Sequence, residues 1–140
     1  MYRTVLIPTD GSTGAERGVT AGIDIAKQYG ATVHALYVVD ERIYGQTPAL
    51  SDVELRFEQL ETEGEGYLDA VVERGSEAGL DVRTSVQRGM PHEIITAYAD
   101  EHDVDLIVMG LHGASAHPAP HIGSCTDRVL RTASVPVLPA

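Results

Sequence analysis

The stretch MGLHGASAHPAPHIGSCTDRVL, residues 109–130, concentrates the residues of this chain best suited to hold an anion. Gly110 and Gly113 lie three apart, nine residues intervene before Gly123 and Ser124, and a helical pattern starts there. Glycines let backbone N–H groups approach a ligand closely, and a helix N-terminus adds a favourable partial charge, so the pair of turns has the ingredients of a phosphate seat. Ser124 can donate its hydroxyl or cap the helix. Neither G-x-x-x-x-G-K-[ST] nor G-x-G-x-x-G occurs in the chain, which sets aside the P-loop and the dinucleotide fingerprint. Glycines at loop spacing also serve turn geometry alone, and the spacing by itself leaves both readings open.

Other residues offer further chemistry. Asp10, in PTDGS, is a carboxylate at the end of an apolar run. It suits two ribose hydroxyls as an acceptor and repels phosphate, which assigns it to a nucleoside end. An Asx turn or a helix N-terminal role before Gly11 explains it as well. His112, His117 and His121 crowd the gap, but their spacing fits no familiar zinc pattern and no second cysteine is near, so exposed loop histidines are expected and no metal site. Protonated, these histidines would strengthen phosphate binding toward acid pH. Cys125 stands at a helix start, where thiolate is favoured; a small residue turned to the core is the plainer expectation. Hydrolysis of ATP calls for a positioned water and charge neutralisation. With no P-loop lysine, no evident arginine finger and no paired carboxylates near the glycines, no catalytic residue is assigned.

The elements that must position these groups alternate regularly. TVLIPT (4–9) reads as a buried strand. TGAERGVTAGIDIAKQYG is a helix, capped by Ser12 or Thr13 and stopped at Gly30, with Ala15, Val19, Gly22, Ile23 and Ala26 inward. ATVHALYVV (31–39) is the second strand, and DERIYGQTPALSD a long loop. Asp52 is expected to cap an acidic, solvated helix to about residue 78, with Leu55, Leu60, Tyr67, Leu68, Val71 and Val72 inward. Tyr44, Tyr67 and Tyr98 are assigned to packing. LDVRTSVQRG alternates like an edge strand. A helix with Pro91 in its first turn, a strand VDLIVMG, a helix over 123–133 and a last strand VPVLPA complete the chain.

This β-α order implies α/β architecture, a doubly wound parallel sheet with helices on both faces and ligands outside the carboxyl ends of the strands. If the first and fourth strands are neighbours, PTDGS and MGLHG meet at that crevice. No linker or repeat interrupts the 140 residues, and one domain over 1–140 is expected. No apolar run is long enough to span a bilayer, and the start lacks the pattern of a signal peptide. A lone cysteine fits a reducing, cytoplasmic setting. The net charge of −11, with Lys27 the single lysine, argues against nucleic acid and anionic membranes as partners. An acidic, lysine-poor composition is also common in proteins from high-salt cytoplasms, as in halophiles.

The run VDLIVMGLHG, the nine-residue gap, GS and the closing VPVL together resemble the universal stress protein family, whose nucleotide-binding members carry G-x2-G-x9-G-[ST] near the chain end. VLIPTDGS, YVVDER and RGMPHEII resemble its earlier strand ends. The resemblance implies a Rossmann-like five-stranded sheet of order 3-2-1-4-5 and a homodimer through the last strand, Val135 to Leu138. It also implies a site for ATP, or AMP or ADP, with Mg²⁺. There Asp10 would contact the ribose, Pro8 and Thr9 would line the adenosine site, and the Val38 backbone would meet adenine. Gly110, Gly113, Gly123, Ser124 and Cys125 would cradle phosphates and ribose, with Met109 alongside. The chain departs from the family inside the gap, where ASAHPAPHI replaces a basic, leucine-rich linker. The phosphate tail thereby lacks a cationic partner, Arg128 being distant, and two prolines reshape the loop. Three functions follow: a regulatory, nucleotide-sensing stress protein without fast turnover; a dimeric interaction module that binds no nucleotide; and a slow ATPase.

Overall fold

A computed structural model describes residues 1–44, 50–111 and 123–140. Five parallel strands form one sheet: β1 (Thr4–Pro8), β2 (Thr32–Asp40), β3 (Val82–Gly89), β4 (Leu106–Met109) and β5 (Val137–Pro139). Their order is β3-β2-β1-β4-β5, as the resemblance implied. The helices are α1 (Thr13–Tyr29), α2 (Leu50–Glu77), α3 (Pro91–Glu101) and α4 (Ser124–Thr132), with a 3-10 turn at Glu41–Tyr44.

The inner strands β1, β2 and β4 are largely apolar because both faces of the sheet are covered there, whereas the edge strand β3 carries Arg83, Thr84, Ser85, Gln87 and Arg88. Val5, Ile7, Val33, Ala35, Tyr37, Val39, Leu106 and Val108 pack on one face with Val19 and Ile23 of α1 and Phe57, Leu68 and Val71 of α2. Leu6, Leu36, Ile107 and Met109 point the other way, toward Ile95 and Tyr98 of α3 and Val129 of α4. Fully burying each such aliphatic side chain stabilises the fold by about 1.5–3 kcal/mol.

Ser12 caps α1 by accepting the Ala15 N–H at 3.1 Å, and Gly30 ends that helix in the left-handed conformation. The expected inward face of α1 is buried. On α2 the expected phase is wrong in part: Leu55 and Tyr67 are 54% and 40% exposed, whereas Phe57, Gly64, Leu68, Val71 and Gly75 are buried. The hidden stripe runs through two glycines, whose missing side chains make room for Tyr37 and Val82. Counting only large apolar residues therefore rotated the helix. Asp52 lies within the first turn of α2 rather than capping it.

At the foot of the sheet Asp105 accepts the N–H groups of Arg3 and Thr4 at 2.8 and 2.9 Å, pinning β1 beside β4. No helix among the described residues is long and apolar enough to cross a membrane.

Candidate functional site

The order of the strands makes β1 and β4 neighbours whose connections depart to opposite faces. A crevice opens at their carboxyl ends for that reason. It holds a cavity of about 460 Å³. Pro8, Thr9 and Asp10 continue from β1, Val38 and Asp40 end β2, Met109 and Gly110 end β4, and Gly123, Ser124 and Cys125 begin α4; all line it. Nine of the ten site residues expected from the sequence thus meet in one space. The tenth, Gly113, lies outside the described residues, as do His112, His117 and His121.

The backbone shapes the cavity. β1 pairs with β2 only as far as Pro8 opposite Leu36, and the Thr9 N–H closes on the Leu36 carbonyl at 2.9 Å. β2 runs on to Asp40. Strand hydrogen-bonding directions alternate, so the Val38 N–H and C=O share the direction of those of Leu36, and no β1 residue remains opposite them. A donor and an acceptor on one residue therefore border the cavity.

On the other side, the Gly110 and Leu111 carbonyls are held by α4. Thr126 Oγ1 donates to Gly110 O at 2.7 Å, and Gly123 N–H donates to Leu111 O. Gly123 is the cap residue of α4 and Ser124 its first residue, with no side-chain cap; the expectation that Ser124 caps the helix is corrected. The N–H groups of Ser124, Cys125 and Thr126 open the helix, ahead of the first bond of its ladder, from the Asp127 N–H to the Gly123 carbonyl. They supply partial positive charge at the mouth of the cavity.

Gly110 has a packing duty as well. A side chain there would run into the Gly14 carbonyl, and one on Gly18 would come within 2.6 Å of the Gly110 nitrogen. Helix α1 crosses the end of β4 with no space for a methyl group. Asp10 has a dual role too. Its Oδ1 accepts the Ser12 N–H at 2.9 Å, the Asx turn anticipated as the alternative to ligand contact. A carboxylate has lone pairs for further donors.

Cys125 is only partly exposed and packs against the α3–α4 core. Burial, and then the Asp10 charge, push its thiol up to about 11. A helix N-terminus alone would favour thiolate; here desolvation outweighs it. The plainer expectation, a small residue turned inward, holds.

With this geometry in view, likeness to known proteins becomes informative. The model of the universal stress protein family matches residues 1–139. The chain belongs to the universal stress protein family. Universal stress protein MJ0531 of Methanocaldococcus jannaschii is 36% identical over 138 residues, 99% of this chain and 81% of that one. The solved structure of UspA from Lactobacillus plantarum superposes with a TM-score of 0.83 at 33% identity, covering 99% of this chain and 97% of that one. That of the hypothetical protein MJ0577 gives a TM-score of 0.90 at 28% identity over 100% and 96%. A universal stress protein solved in complex with cAMP gives 0.74 at 26% identity over 99% and 97%.

Within this universal stress protein fold, the cavity is also lined by residues not expected from the sequence, among them Tyr67, Thr126 and Arg42. Tyr67, assigned to packing, stands over the opening with its ring against the Gly11 turn and 6.0 Å from the Tyr37 ring. Its partial exposure depends on the phase of α2, which the sequence obscured. Thr126 follows GSC directly, and its hydroxyl was signalled only by position. Arg42 was passed over as part of a loop; it borders the cavity and bonds Asp40. Tyr98, also assigned to packing, is buried, but its hydroxyl lies 2.6 Å from Nδ1 of buried His34, and its ring stacks on His102 at 3.8 Å. That cluster lies off the cavity. Burial, then the His102 charge, lowers the His34 pKa.

Proposed function

We propose that this universal stress protein binds an adenine nucleotide, ATP or its ADP and AMP relatives, in the β1–β4 crevice, and acts as a regulator rather than a fast catalyst. The observation that carries the reading is the overhang of β2 past β1. It leaves a peptide donor and acceptor at Val38 on the cavity that Asp10 and the helix N-terminus at Ser124 also line. Adenine presents an acceptor and a donor on adjacent ring positions, the complement of one peptide N–H and C=O. Ribose hydroxyls suit Asp10, flanked by Pro8 and Thr9. Phosphates suit the amides at Ser124 and Cys125, beside Gly123, Gly110 and Met109, with Gly113 completing the pattern. Mg²⁺ would travel with the phosphates. The relative solved with cAMP supports an adenine ligand in this fold.

Regulation needs a reader. β5 is an edge strand, with Leu138 39% exposed and Val135 and Val137 partly so. We place the homodimer there, along Val135 to Leu138, in the cytoplasm, and its geometry would respond to a ligand that prefers one conformation.

Calorimetry on ligand-stripped protein with adenosine, AMP, ADP and ATP, with and without Mg²⁺, tests the reading. Heats with at least one adenylate are expected, and ligand at a hundredfold excess over Kd should stabilise the fold by about 2.7 kcal/mol. Absence of heat with every adenylate at several salt concentrations leaves the dimeric interaction module. Product release over hours, abolished by Asp10→Ala in folded protein, establishes the slow ATPase instead.

A further inference from the structure

We infer that Arg42 sets how strongly this cavity prefers ligands with more phosphate charge, and that Asp40 competes with the ligand for it; this rests on the adenine-nucleotide reading above. The cavity is lined by three carboxylates, Asp10, Asp40 and Glu63, and by one basic side chain among the described residues, Arg42. The segments outside the described residues, GQTPA and HGASAHPAPHI, contain no lysine or arginine. In a chain of net charge −11, α4's first turn and Arg42 are the groups lining this space that favour a polyanion.

The geometry suits an exchange. Arg42 Nε donates to Asp40 Oδ1 at 3.0 Å and its terminal nitrogen to Oδ2 at 2.8 Å, a two-point clasp. The Arg42 backbone N–H also donates to Asp40 Oδ1, at 3.0 Å. The Asp40 side chain is 18% exposed and that of Arg42 51%. Asp40 is therefore the fixed partner, tied by its own strand end, and the guanidinium is the member free to swing. Two oxygens of a tetrahedral phosphate can accept from the guanidinium's planar fork as a carboxylate's do, with more charge. Arg42 lines the same cavity as Ser124 and Cys125 at the start of α4. When Arg42 turns to a phosphate, Asp40 keeps one N–H bond from the Arg42 backbone, which lowers the cost of release. Two acceptors contending for one guanidinium make the net gain smaller than an uncommitted arginine would provide.

The test measures Kd for adenosine, AMP, ADP and ATP by calorimetry on the full chain, wild type and variants, with thermal melts to confirm folding. Arg42→Gln should lower the ATP-to-adenosine affinity ratio about tenfold, the size of one charge-assisted hydrogen bond. Arg42→Lys should recover part of the loss, and Asp40→Asn should raise the ratio above wild type by releasing the guanidinium. An Arg42→Gln variant with an unchanged ratio overturns the inference while leaving the nucleotide reading intact. A wild-type chain that binds adenosine and ATP equally does the same. A wild-type chain that binds no adenosine and no adenylate overturns both.

Discussion

Asp105 and Asp10 are the same residue type at opposite ends of adjoining strands, and the fold uses them differently. Asp105, at the foot of β4, accepts two backbone N–H groups from the start of β1 and welds the two strands. Asp10, at the head of β1, accepts a local N–H in an Asx turn and faces a cavity of about 460 Å³. The foot is closed because strand starts there lie in register, Val5 opposite Leu106. The head is open because connections leave β1 and β4 toward opposite faces, and among the described residues no element fills the space between them. The first carboxylate joins two strands through backbone N–H groups, and the second, at its Asx turn, lines the cavity. Stability and binding should therefore separate along the length of these strands.

The largest expected effect comes where the two demands coincide. Gly110→Val drives a branched side chain into the Gly14 carbonyl of α1. It should cost about 3 kcal/mol or more, read as a lower denaturant midpoint at unchanged slope. A variant as stable as wild type would mean that α1 does not press on the end of β4 as described. Next comes the exchange of roles between the two aspartates. Asp105→Ala should cost about 1–3 kcal/mol of stability, since the part-buried Thr4 N–H and the exposed Arg3 N–H lose their acceptor. Its affinity for adenylates should stay within twofold of wild type. Asp10→Ala should do the reverse, lowering affinity about tenfold or more at a cost in stability of about 1 kcal/mol or less. Equal effects of the two in both assays would erase the distinction between head and foot.

The smallest effect is a pH dependence away from the cavity. His34 has a folded pKa below its ordinary value, so the unfolded chain binds the proton more readily. Its contribution to stability is present above the unfolded pKa near 6.5 and is lost as pH falls through the lowered folded value. Melting temperatures from pH 7.5 down to 5 should fall, with a shallower fall in His34→Gln. Parallel curves for the two proteins would show that this histidine does not titrate with unfolding.

Much of the site was legible for a physical reason. Residues that end strands in a doubly wound sheet must converge, so Asp10, Val38 and Gly110 come together once the alternation of elements is read correctly. The glycine spacing and the family resemblance then picked out Gly123, Ser124 and Cys125. What escaped were residues whose meaning depends on angles about a helix axis or on a single local turn. Tyr67 was misassigned because the buried stripe of α2 passes through Gly64 and Gly75, which carry no hydrophobic signal. Arg42 lay in a stretch without periodicity. The thiol of Cys125 sits where two rules conflict, the helix terminus favouring charge and burial opposing it, and only packing decides the balance.

The sequence by itself determined the alternation of strands and helices, the apolar faces of the strands, the caps of α1 and the small residues around the crevice. These follow from local propensity, periodicity and steric limits, which act over a few residues. Only the tertiary structure decided how far β2 reaches past β1, which side of α2 meets the sheet, and that Arg42 bonds Asp40 beside the start of α4. Those depend on contacts between segments far apart in the chain, where register and close packing select one arrangement among several that the local pattern permits.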